Sequence, residues 1–138
     1  MVTVAIIAQG EMGAGIGERL TAHGARVLTS LAGRSAASAA RAQKSGMEPV
    51  GDDRRLVAEA DFLMSVIPPG EAVAFARRFA PALTESAKKP VFVECNAISA
   101  ARVKEVAAIV TPTGAPFVDG GIVGAPPSND NPGGRIYV

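Results

Sequence analysis

"AIIAQGEMGAGIG", residues 5–17, runs an apolar stretch straight into glycines at positions 10, 13, 15 and 17. Aligned on the end of that stretch, Ala8-Gln9-Gly10-Glu11-Met12-Gly13 reads as G-x-G-x-x-G with alanine in the first place. Between a first strand and a first helix, such a turn lets a pyrophosphate approach the backbone. A side chain at Gly10 would stand in the space of the phosphates, whereas alanine fits the first site with a negative φ. Gly15 and Gly17 fall inside the following helix, and position 18 is glutamate, so no second register exists. Alone, the pattern leaves both a nucleotide site and a plain bend open.

Outward from this turn, strand-like and helix-like segments alternate. Val2–Ala8 reads as a strand, and Gly13–Ala22 as a helix with Ile16 and Leu20 on one face, closed by His23-Gly24. Ala25–Leu31 is a second strand, Ala36–Lys44 a helix capped by Ser35, and Met47–Val50 a short third strand. Asp52 or Asp53 caps a helix running to Ala60, and Phe62–Val66 is a fourth strand stopped by Pro68-Pro69-Gly70. Glu71–Glu85 is helical and is expected to kink or break near Pro81. Pro90–Cys95 is a fifth strand, Ser99 caps a helix to Val110, and Phe117–Val118 begins a sixth strand. Arg135–Val138 looks like the opening of another strand, either an edge strand or the lead into further chain. The alternation predicts an α/β fold, a Rossmann-type doubly wound, mostly parallel sheet in a single domain over residues 1–138.

Composition agrees with that class and excludes others. Hydrophobic residues make up 48% of the 138 positions, enough to fill a core, and aromatics only 4%. The core must therefore come from Val, Ile, Leu and Ala, which suits buried parallel strands. A net charge of +1 with no basic run argues against nucleic acid as a partner. One cysteine and one histidine provide no metal-ligand set, so no metal is expected. The apolar start lacks a basic lead-in and no stretch is long enough to cross a bilayer, which predicts a cytoplasmic protein without a membrane partner.

The second strand bears on the cofactor. An NAD site carries an acidic residue about 20 residues past the glycines, to hold the ribose hydroxyls. Leu28–Ser35 contains no carboxylate, and Arg34 stands where a 2′-phosphate would lie, its planar donor fork suited to that group. Ser35 adds a hydroxyl. These residues favour NADP(H) over NAD(H), against the plainer reading of Arg34 as a solvated loop residue.

At this point the chain resembles a known family. Val4–Gly13 is similar to the G-x-G-x-M-G opening of the β-hydroxyacid and 6-phosphogluconate dehydrogenases, and Gly33-Arg34-Ser35 to their Asn-Arg-Thr signature. Residues 60–70 resemble their fourth strand and the loop over the cofactor, and Glu94–Ser99 their Asp-x-Ser-Thr-x-Ser segment. Phe117–Ala125 resembles their substrate loop, which would place Gly121, Val123 and Gly124 toward the substrate. The resemblance implies an NAD(P)-dependent oxidoreductase passing hydride between nicotinamide and a small hydroxy-acid, carbonyl or imine substrate. It implies pyrophosphate on the backbone around Gln9, Gly10, Glu11, Met12 and Gly13, and the 2′-phosphate at Arg34 and Ser35. Val66, Ile67 and Pro68 would line the loop over the cofactor, and Asn96 would approach the nicotinamide ribose.

Departures accompany these matches. Val123 stands where the family has serine, and Ala125 where it has the last glycine. The family's lysine-bearing helix and helical domain have no counterpart, and none of Lys44, Lys88, Lys89 and Lys104 matches the catalytic lysine. The chain alone is therefore expected to be inactive, to contain no catalytic residue, and to self-associate through the apolar surface a helical domain would cover. A stand-alone NADP-binding regulatory module is the second reading. Cys95, on an apolar strand without a cationic neighbour, reads as a buried inert thiol, and His23 as a capping or surface residue. Glu94 and Asp119 both end strands, with nothing to show that they meet.

Overall fold

The computed structural model describes residues 1–7 and 10–138. Ala8 and Gln9, the first-glycine position and an expected phosphate contact, lie outside the described residues. The chain runs β1 (Thr3–Ile7), α1 (Glu11–Ala22), β2 (Arg26–Thr29), α2 (Ala36–Lys44), β3 (Glu48–Pro49), α3 (Asp53–Glu59) and β4 (Phe62–Ser65). A single 3-10 turn, Pro69–Glu71, leads into α4 (Ala72–Glu85). Then follow β5 (Val91–Glu94), α5 (Ala100–Val110), a second 3-10 turn at Thr111–Thr113, β6 (Phe117–Asp119), β7 (Gly121–Val123) and β8 (Arg135–Tyr137).

Six strands form one sheet in the order β3-β2-β1-β4-β5-β6, every pair parallel. The expected doubly wound α/β fold is therefore present. The strand order reverses between β1 and β4, which opens a crevice at their carboxyl ends. Alternate residues of a strand face opposite sides of the sheet, and both sides are buried here, so β1 is apolar from Val4 to Ile7. Ala5 and Ile7 enter a core with Leu56, Leu63, Phe79 and Phe92, while Val4 and Ile6 enter a second core with Ile16, Val27 and Met64. Helices cover both faces, so the polar strand residues Thr29 and Ser65 are buried and satisfied by hydrogen bonds, to the Ile6 carbonyl and from Asn96 Nδ2.

The few aromatic rings concentrate in the first core. Phe75 lies 4.9 Å from Phe79 and 5.8 Å from Phe92, and Phe92 stacks on Phe117 at 5.9 Å. This cluster ties α4 to β5 and β6. It also bears on Pro81, since α4 does not break there but runs continuously to Glu85. Pro81 is on the exposed side, so the Arg77 carbonyl it leaves unbonded can face water. An interior proline costs about 3 kcal/mol. Burying Phe75, Phe79 and Leu83 on the opposite face recovers about 1.5–3 kcal/mol for each.

Two further differences have local causes. Helix α1 starts at Glu11 and not at Gly13, because Gly10 in an extended conformation already acts as its N-cap. The terminal segment does not join the main sheet; β8 pairs antiparallel with β7 in a separate ribbon, Gly121 facing Tyr137 and Val123 facing Arg135. The ribbon's connecting segment lies on α1, with Arg19 Nη1 donating to the Ser128 carbonyl at 3.2 Å. A Cβ at Gly15 would collide with the Pro127 carbonyl oxygen. That contact accounts for a glycine inside a helix, where alanine would otherwise be favoured by about 1 kcal/mol.

Candidate functional site

Helix N-termini leave backbone N–H groups without partners, and this chain treats its helices unequally. Ser35 Oγ accepts from Ser38 N at 3.2 Å to cap α2, and Asp52 Oδ1 accepts from Arg54 N at 2.9 Å to cap α3. Ser99 Oγ accepts from Arg102 N at 3.2 Å to cap α5. At α1 the N-cap is Gly10, which has no side chain to offer. A Cβ built on Gly10 meets nothing within 4 Å, so the space before this terminus is open. Uncapped N–H groups at the positive end of a helix dipole favour an anion there.

That terminus forms one wall of a groove of about 470 Å³ at the sheet's carboxyl edge. Gly10, Glu11, Met12 and Gly13 line it from the turn, Val66, Ile67 and Pro68 from the loop after β4, and Asn96 from the loop after β5. Arg34 closes the end beyond β2. Nine of the expected contacts, drawn from four separate stretches of sequence, thus meet in one concavity: Gly10, Glu11, Met12, Gly13, Arg34, Val66, Ile67, Pro68 and Asn96. A neighbouring cavity of about 290 Å³ shares Arg34 and is walled by Ile7, Ile67, Glu71, Ala74, Phe75 and Arg78.

Other expected residues sit elsewhere. Ser35 does not line the groove, and its oxygen serves the α2 cap. Gly121 and Val123 belong to β7, where Val123 is 64% exposed, and Gly124 follows at a φ of +117°. None of these three lines the groove, although Ile122 between them does. No lysine lines it either.

Ser38 and Arg41 also line the groove and were not expected there. They lie one helical turn apart on α2, with Arg41 Nη2 donating to Ser38 Oγ at 3.4 Å. The signal was available, because the cap at Ser35 sets the helix phase and puts both on the side of Arg34.

Asn96 is more constrained than a simple groove contact. Its Oδ1 accepts from Ile67 N at 2.8 Å, and its Nδ2 donates to Ser65 Oγ at 2.9 Å and to Glu94 Oε1 at 2.6 Å. Both amide hydrogens are therefore engaged, leaving one lone pair on Oδ1. Glu94 and Asp119 are register partners on β5 and β6. Burial raises the Glu94 pKa, hydrogen bonds from Asn96 oppose the rise, and the Asp119 charge adds to it.

Cys95 also borders the groove but is 3% exposed. Burial, with a smaller contribution from Glu94, pushes its thiol up to about 12. The thiolate is the reactive form. In the native protein, Cys95 is expected to resist a thiol-exchange reagent at pH 8 and to react fully in denaturant. Rapid native labelling in a chromogenic assay would contradict this.

Residues 3–132 match the family described as the NAD binding domain of 6-phosphogluconate dehydrogenase. Among solved structures, the conserved protein MTH1747, described as similar to 3-hydroxyacid dehydrogenases, is 28% identical with a TM-score of 0.77. That match covers 90% of this chain and 45% of the other. Mycobacterium tuberculosis 3-hydroxyisobutyrate dehydrogenase with L-serine is 26% identical with a TM-score of 0.74, covering 91% of this chain and 42% of that one. An imine reductase from Myxococcus stipitatus in complex with NADP+ shares the fold at 19% identity and a TM-score of 0.73, with coverages of 91% and 42%. The chain thus spans less than half the length of these solved proteins. No curated protein matches it significantly in sequence. Among the described residues, no helix is long and apolar enough to cross a membrane.

Proposed function

From the premise that the chain belongs to the family of the NAD binding domain of 6-phosphogluconate dehydrogenase, we propose that it binds NADP(H) for an oxidoreductase reaction on a small hydroxy-acid, carbonyl or imine substrate. The nicotinamide, when bound, supplies the hydride chemistry. The chain's own residues bind and orient it. One observation carries this proposal: the uncapped α1 terminus, the open space at Gly10 and the guanidinium of Arg34 share one groove.

The diphosphate would rest on the backbone N–H groups of the first turn of α1, under the loop of Val66, Ile67 and Pro68. Gln9 is proposed as a further contact on the same turn. The smaller cavity beside Arg34 would take the adenine, against Ile7, Ile67 and Phe75. Preference for the 2′-phosphate is supported by Arg34 and Arg41 lining the groove and by the lack of an acidic residue in Leu28–Ser35. Ser35 would contribute by orienting α2 through its cap, a role that fits its hydrogen bond to Ser38 N.

Calorimetric titration of the whole chain tests the proposal. NADPH is expected to bind in the micromolar range, with NADH at least about tenfold weaker, since a hydrogen bond to a charged group contributes about 1.5–3 kcal/mol. No heat of binding with NADPH, or equal affinity for both, would refute it.

We also propose self-association through the ribbon, one face of which exposes Val123 and Tyr137. Light scattering is expected to show a mass rising with concentration. A constant monomer mass would remove this proposal without touching the first.

A further inference from the structure

Glu94 is fully buried at the end of β5, an unusual place for a carboxyl group. Its Oε1 accepts from Asn96 N at 2.9 Å and from Asn96 Nδ2 at 2.6 Å. Its Oε2 is buried with no hydrogen-bond partner among the described residues. An unsatisfied buried carboxyl oxygen is costly, so packing alone does not account for the residue. Asn96 leads onward from it, because its Oδ1 accepts the N–H of Ile67 in the loop that walls the groove.

We propose that Glu94 is a positioning residue that sets the loop after β4 over the cofactor groove, acting through Asn96. One carboxyl oxygen accepts from both the backbone N–H and the side-chain Nδ2 of Asn96, and so aims Oδ1 at Ile67. Ser65, the register partner of Glu94 on β4, holds the other amide hydrogen. The loop is thereby tied to β5 and not only to its own strand. Its link to cofactor affinity rests on the NADP(H) proposal above; its link to Ile67 does not.

Glu94→Gln retains an acceptor at Oε1, whereas Glu94→Met keeps the approximate shape and removes both bonds. The experiment combines amide hydrogen exchange at Ile67 with NADPH titration of both variants. The glutamine variant is expected to match the parent in both. The methionine variant is expected to lose protection at Ile67 and to bind NADPH about tenfold more weakly, within the range for a broken buried hydrogen bond.

Asn96→Ala cuts the same link from the loop side and is expected to match the methionine variant, which covers a failure of Glu94→Met to fold. Unchanged Ile67 protection in Glu94→Met and Asn96→Ala would overturn the positioning role. So would loss of protection in Glu94→Gln. If Ile67 follows Glu94 as expected but the parent binds no NADPH, the positioning role stands and the cofactor proposal fails.

Discussion

Gly10→Asp is expected to abolish NADPH binding while making the protein slightly more stable. Aspartate is among the preferred N-cap residues, and Gly10 offers no side chain where Ser35 and Ser99 cap α2 and α5. Its extended backbone, φ −70° and ψ 179°, accommodates any residue, and a Cβ there meets nothing within 4 Å. The new carboxylate would accept from the free N–H groups of α1 and complement the helix dipole, a gain of a few tenths of a kcal/mol, roughly 0.3. It would also occupy the proposed diphosphate site with like charge. Two such charges about 4 Å apart repel by about 4 kcal/mol at an effective dielectric of about 20. Affinity should fall by at least about 100-fold. Calorimetry and thermal unfolding on the same sample check both halves. Tight NADPH binding by the variant would place the phosphates elsewhere.

Arg34→Ala is expected to separate the two cofactors. Losing a guanidinium–phosphate interaction should weaken NADPH by about 10- to 100-fold. NADH, without the 2′-phosphate, should change by less than about twofold. Arg34 is half-buried, and its backbone N–H bond to the Leu31 carbonyl at 3.0 Å survives the substitution. The preference should also shrink with added salt in the parent, because exposed charges are screened. An equal loss for both cofactors would show that Arg34 shapes the groove and does not read the phosphate.

Much of this molecule was legible in its sequence because the relevant signals are local. Strand and helix alternate with clear punctuation, and the caps at Ser35, Asp52 and Ser99 are all used as side-chain chemistry suggests. The glycine turn, Arg34, the Val66–Pro68 loop and Asn96 follow strand ends, and a parallel sheet brings strand ends to one edge. What escaped depends on partners distant in the chain. The β7–β8 ribbon forms only because Arg135–Tyr137 returns antiparallel to Gly121–Val123. Helix α4 continues through Pro81 because Phe75, Phe79 and Leu83 are buried on its other side, which a local proline rule does not contain. The ties among Ser65, Glu94 and Asn96 likewise depend on β4 and β5 lying side by side.

The central place of β1 carries a cost in time. Val4 pairs with Val27 on one side and with Phe62 on the other. During synthesis at about 5–20 residues per second, the second neighbour follows the first strand by roughly 3–12 s. Until then β1, apolar on both faces, has one edge unpaired in the nascent chain. Folding of this domain therefore waits on β4, and the interval before it emerges is when the chain is most open to chaperones and to aggregation.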